Sequence, residues 1–182
     1  MRTSLCTAGL LIAMSIAAPQ DAHAQASPTR GPIIDTHGPV FPVAPDFETP
    51  LDLEYKVAFD VSQTGGADGV STSLNTVARF LNMHGQAGVP RAQLGAAVVV
   101  HGTAVMDVLS DDAYHARSGS ANPNATLLRE LLDAGVRVVV CGQSAASRGY
   151  QASELADGVE LALSAMTAFV VLQNEGYLVN PW

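Results

Sequence analysis

The chain is short of thiols and of positive charge. Its 182 residues hold two cysteines, Cys6 and Cys141, and one lysine, Lys56, against a net charge of −8. Two cysteines give no disulfide framework. Without a basic run, nucleic acid and anionic membrane surfaces are poor partners. Familiar motifs are missing as well. The glycine loop Gly65-Gly66-Ala67-Asp68-Gly69 has neither the G-x-G-x-x-G pattern nor a P-loop lysine, so nucleotide binding is not expected. The lack of a G-x-S-x-G elbow weakens a hydrolase reading. A metal would need His84, His101 and Cys141 to converge, or His115 to contribute. No Cys-x-x-Cys or His-x-His spacing supports that, and no metal or other cofactor is expected. Internal repeats and low-complexity tracts are absent.

The beginning of the chain reads as an export signal by its pattern. Arg2 supplies a minimal basic region, residues 5–18 are apolar but too short to span a bilayer comfortably, and Ala22-His23-Ala24 is a small-x-small cleavage site. The alternative, an uncleaved membrane anchor, is opposed by the helix-breaking Pro19 and the polar Gln20-Asp21. A signal peptide over residues 1–24 implies a periplasmic protein. Its removal takes Cys6 away and leaves Cys141 as the one thiol. No membrane association is expected after cleavage.

Residues 25–54 carry six prolines and read as an extended arm rather than a domain. It is either a disordered tether or a segment laid along the domain or a neighbouring subunit. In the second case Ile33, Ile34, Val40, Phe41 and Phe47 are the anchors.

From residue 55 to 182 the pattern becomes regular. Strands are expected at 55–61, 94–101, 136–141, 159–163 and 177–179, and helices at 71–87, 104–109, 124–134 and 165–175, with a polar loop through Gly119. Val70, Leu74, Val77 and Leu81 recur at helical spacing and should face the sheet. Strands alternating with helices imply an α/β three-layer sandwich around a mostly parallel five-stranded sheet.

Ligands of such sheets bind beyond the carboxyl ends of the strands. Gln63 and the glycine loop follow the first strand, His101 and Gly102 the second, and Cys141, Gly142, Gln143 and Ser144 the third. A cysteine that ends a strand and opens a helix meets unpaired N–H groups, which favour its thiolate. Cys141 is therefore the candidate nucleophile, and His101 the group that takes its proton or pairs with it. The competing reading makes Cys141 a buried structural thiol. Arg148 lies two helical turns on and suits an anionic substrate or a helix-end contact. Asn75, Arg79 and Asn82 form a polar stripe on the first long helix, explained by a solvated face as well as by a site.

The stretches Leu74 to Asn82, Val98-Val99-Val100-His101-Gly102, Val140-Cys141-Gly142-Gln143-Ser144 with Arg148-Gly149, Leu163 to Thr167, and Gly176-Tyr177 together resemble the DsrE/DsrF-like sulfur-relay family. The similarity is greatest to its small stand-alone YchN-like branch. The resemblance implies a five-stranded α/β fold, a homotrimer or homohexamer, and sulfur carried as a cysteine persulfide between a donor and an acceptor protein. Cys141 matches the sulfur-carrying position. Several relatives have Cys-Gly-x-Cys where this chain has Ser144. A Cys-x-x-Ser site closes no local disulfide, which leaves a single-thiol persulfide carrier. The export signal is a second departure, since the best-known relays work in the cytoplasm.

Overall fold

The computed structural model describes residues 26–65 and 69–180. The expected signal peptide lies outside the described residues. Five strands, β1 (Tyr55–Val61), β2 (Leu94–Val100), β3 (Arg137–Cys141), β4 (Glu160–Ala162) and β5 (Leu178–Asn180), form one sheet in the order β4-β3-β2-β1-β5. Every pairing in it is parallel. The helices are α1 (Thr72–Gln86), α2 (Asp111–Ser118), α3 (Ala125–Asp133), α4 (Gly142–Ser147) and α5 (Ala165–Asn174). The chain is thus an α/β protein, and the sheet is wholly parallel rather than mostly so.

Period-two alternation sorts the strands between two unequal cores. Phe59, Val61, Val98, Val100, Val138 and Val140 face the larger core, built with Leu74, Val77 and Leu81 of α1 and Leu127, Leu128 and Leu131 of α3. Ala58, Ala97, Val99 and Val139 face the smaller one, closed by Ala168 and Leu172 of α5. One helix therefore covers the second face of the sheet. β2 is buried on both faces, which is why it reads as an unbroken apolar run.

Three expectations change. The polar loop before Gly119 contains α2. Its Ser110 cap accepts from Ala113 N, aspartates open it, His115 and Arg117 close it, and Gly119 ends it in the left-handed region. None of its residues is fully buried, so it left no apolar period to read. The short helix expected at 104–109 is a 3-10 helix over Gly102–Val108. The helix after Cys141 stops at Ser147, so Arg148 lies just past its end instead of on its second turn.

The arm docks on its own domain. Thr29 and Val40 exchange both backbone hydrogen bonds, at 2.9 and 2.8 Å, closing residues 29–40 into a loop against α1. Asn82, fully buried, accepts from the N–H groups of Ile33 and Ile34, and its amide reaches the carbonyl oxygens of Ile34, His37 and Gly38. Asn75 accepts from Gly38 N at 2.8 Å, and Arg79 donates to Pro39 O at 3.0 Å. A Cβ on Gly38 would fall 2.4 Å from backbone atoms of Ala78 and Arg79, so only glycine lets the arm lie this close to α1. Ile34 and Val40 are buried anchors and Ile33 is partly buried. Phe41 and Phe47, expected to anchor as well, remain 51% and 89% exposed.

Candidate functional site

The site lies where three neighbouring strands end. Val61, Val100 and Val140 form one row across β1, β2 and β3. The residues that follow Val100 and Val140 are His101 and Cys141. Alternation turns both toward the face covered by α5, together with Asp60, which precedes Val61.

Cys141 is the last residue of β3 and the N-cap of α4, with extended backbone. It is 6% exposed. Burial pushes its thiol up. Hydrogen bonds from the Ser144 hydroxyl and from the N–H groups of Ser144, Ala165 and Gln143 pull it down further, so that it titrates below its ordinary value. Two of these N–H groups belong to the first turn of α4 and one to the first residue of α5. The thiolate thus receives free donors at the starts of two helices, where peptide dipoles also favour negative charge.

Ser144 has a second contact, because Gly102 N donates to its hydroxyl oxygen at 3.2 Å. That leaves the hydroxyl hydrogen for the sulfur, in a short series from Gly102 through Ser144 to Cys141. A Cβ on Gly142 would lie 2.6 Å from Ala162 O, so glycine there allows α4 to begin against the end of β4. Gln143 donates from its exposed side chain to Leu163 O at 3.4 Å. Ser164 is occupied in capping α5, accepting from Thr167 N at 3.1 Å.

His101 is not part of the hydrogen-bonding set around the sulfur. Its Nε2 lies 2.5 Å from Asp60 Oδ1, so the ring pairs with a carboxylate of β1. Asp60 is not among the residues that the sequence singles out. Its signal is a carboxylate in the apolar second half of a parallel strand, one residue before the strand ends.

The remaining expectations divide. Gly102 and Ser144 come together with Cys141. Gln63 is exposed on the loop after β1. That loop is fastened to the 3-10 helix: Thr64 N donates to Thr103 Oγ1 at 3.2 Å, while the Thr64 hydroxyl and Gly65 N donate to Asp107. Burial pushes the Asp107 carboxyl up, and the bonds from Thr64 and Gly65 only partly oppose it. Arg148 is exposed and reaches Ser147 Oγ at 3.5 Å. Asn75 does not join the site. It belongs to α1, on the opposite face of the sheet from α5, and its side-chain oxygen holds the arm at Gly38. His84 also stays apart, packed against Tyr55 and Phe80. Among the described residues no group of three or more His, Cys, Asp or Glu side chains is placed to hold a metal ion.

A family model described as the DsrE/DsrF-like family matches residues 56–181. No curated protein matches the chain. Among solved structures, the chain is similar to MTH1491, a protein of unknown function from Methanobacterium thermoautotrophicum. That match has 20% identity and a TM-score of 0.53, covering 70% of this chain and 99% of the other. It is also similar to the ychN protein from E. coli, at 19% identity and a TM-score of 0.52, with the same coverage of 70% and 99%. At these identities the likeness concerns the fold.

Proposed function

The chain belongs to the DsrE/DsrF-like family, and from that premise we propose that it is an exported single-thiol sulfur carrier in which Cys141 holds sulfur as a persulfide. The observation that carries this reading is the place of Cys141, last in β3 and N-cap of α4, where Ser144 and the first N–H groups of α4 and α5 are the donors for its sulfur. Such donors favour the thiolate, and the thiolate is the nucleophile in sulfur exchange. The same donors suit a persulfide anion. Cys141 is the only cysteine among the described residues, and Ser144 occupies the position from which a second thiol would resolve the persulfide within the subunit. Release therefore goes to an external thiol, the acceptor.

The carrier is proposed to work in the periplasm, after loss of residues 1–24, as a homotrimer or homohexamer. α5 supports assembly. It is apolar around its circumference, with Ala168 and Leu172 buried on the sheet while Met166 and Val170 are 76% and 59% exposed. A helix apolar on all sides is normally covered on all sides.

The test is intact mass spectrometry of the protein recovered after export and treated with polysulfide. The expected result is a chain beginning at Gln25 that gains about 32 Da, one sulfur atom, while Cys141→Ser gains none. An equal gain on Cys141→Ser, or no gain on the wild type, overturns the carrier reading. The burial of Cys141 favours a second reading, an oligomeric small-ligand-binding module in which the thiol is packing. A native protein whose thiol resists alkylation near pH 7 would support that module instead.

A further inference from the structure

We propose that Asp60 is a positioning residue for the sulfur transfer: it holds His101 by Nε2 so that Nδ1 carries the proton exchanged between Cys141 and the departing thiol. The inference rests on the carrier reading and adds to it a carboxylate from a third strand.

The geometry begins with register. Val61, Val100 and Val140 share one row of three adjacent parallel strands, so His101 and Cys141 follow it side by side, on strands about 4.8 Å apart. His101 keeps extended backbone, with φ −147° and ψ −170°, and its N–H donates to Val61 O at 2.9 Å, which continues the ladder one residue beyond β2. Its ring therefore stays on the α5 face with the Cys141 sulfur. Asp60 lies on that face from the other side, its Oδ1 2.5 Å from His101 Nε2.

A carboxylate that accepts from Nε2 selects the Nε2–H tautomer of a neutral imidazole, in which Nδ1 is the acceptor. Among the described residues Nδ1 makes no hydrogen bond, while the sulfur has its own donors in Ser144, Gln143 and Ala165. The roles are thus divided. Helix ends and Ser144 set the charge on sulfur, and the Asp60–His101 pair handles the proton. The pair is partly open to solvent, with side chains 37% and 29% exposed, where an ion pair adds little to stability. A carboxylate in a central strand is therefore poorly explained by folding alone.

The step balances without an external oxidant. Cys141 passes its proton to Nδ1, and its sulfur bonds to the outer sulfur of a donor R–S–SH as the bond from that sulfur to R–S breaks. The electron pair leaves with R–S−, which takes the proton back from the imidazolium. The products are the Cys141 persulfide and R–SH, with no net change of oxidation state. The Asp60 carboxylate stabilises the imidazolium while it exists, as the third group does wherever a base is oriented by a carboxylate.

The experiment measures single-turnover sulfur transfer from glutathione persulfide to the protein recovered after export, with the nitrogen-15 spectrum of His101 recorded alongside. Asp60→Asn should slow transfer by about 10- to 100-fold and shift His101 from the Nε2–H tautomer toward a mixture. His101→Gln should slow transfer similarly, and the double variant should be no slower than His101→Gln alone, because the two act as a unit. Normal uptake by the wild type with an unaltered Asp60→Asn rate overturns this inference alone, as does an Nδ1–H tautomer in the wild type. No uptake by the wild type overturns the carrier reading and this inference together.

Discussion

At the scale of single residues, Cys141 shows how a thiol that is almost fully enclosed can still titrate below its ordinary value. Burial alone pushes it up, and the outcome depends on donors that reach the sulfur. Ser144 is the one side chain among them, so its removal is the informative change. Ser144→Ala is expected to move the pH profile of Cys141 alkylation upward, toward that of an ordinary thiol. At pH 7 the rate should fall by on the order of tenfold, the effect of losing one hydrogen bond to a charged group. A profile identical to wild type would assign the stabilisation to the backbone N–H groups alone. Cys141, Gly142 and Ser144 were legible in the sequence because their roles are local, set by a strand that ends and a helix that begins within four residues. The pairing of His101 with Asp60 was not. Their 41-residue separation is bridged only by the register of β1 against β2, which no local pattern encodes.

At the scale of elements, the polar stripe on α1 has a structural role. Asn75, Arg79 and Asn82 supply hydrogen bonds to the backbone of residues 33–39, a segment without regular structure of its own. Glu130 of α3 adds a second clasp, accepting from the Thr36 hydroxyl at 2.8 Å and pairing with His37 at the same distance. Asn82→Ala would leave several enclosed N–H and C=O groups without partners. It should destabilise the protein by about 2–4 kcal/mol, read by thermal or denaturant unfolding. Amide exchange of residues 33–38 should rise more than that of the strands. Unchanged exchange there would mean that the arm is held by Ile34 and Val40 instead. The sequence carried the stripe and the arm as separate features. Polar residues at helical spacing look the same whether they face water or a strap, and only the docked arm distinguishes the two.

At the scale of the whole molecule, the two faces of the sheet are unequally covered. The larger core is closed by α1 and α3, while the smaller relies on α5, which carries Met166 and Val170 outward and stands beside the exposed Leu163 of the β4 end. The proposed assembly would cover this surface, and since Ala165 N reaches the Cys141 sulfur, it would border the site. Met166→Glu combined with Val170→Glu should convert the oligomer to monomer in light scattering while leaving circular dichroism unchanged. An unaltered mass would place the interface elsewhere, and a wild-type monomer would remove the assembly from the reading.

What the sequence determined by itself is what depends on periodicity and chain order. It set the alternation of strands and helices, the apolar face of α1, the thiol at a strand-to-helix junction and the lack of a second thiol beside it. Tertiary structure alone decided which distant groups meet. The strand order β4-β3-β2-β1-β5 brought Asp60 to His101, placed the first N–H of α5 on a sulfur from β3, and kept Asn75 on the opposite face. The physical reason is that hydrophobic burial chooses faces without specifying partners, whereas partners follow from register and packing across the finished sheet.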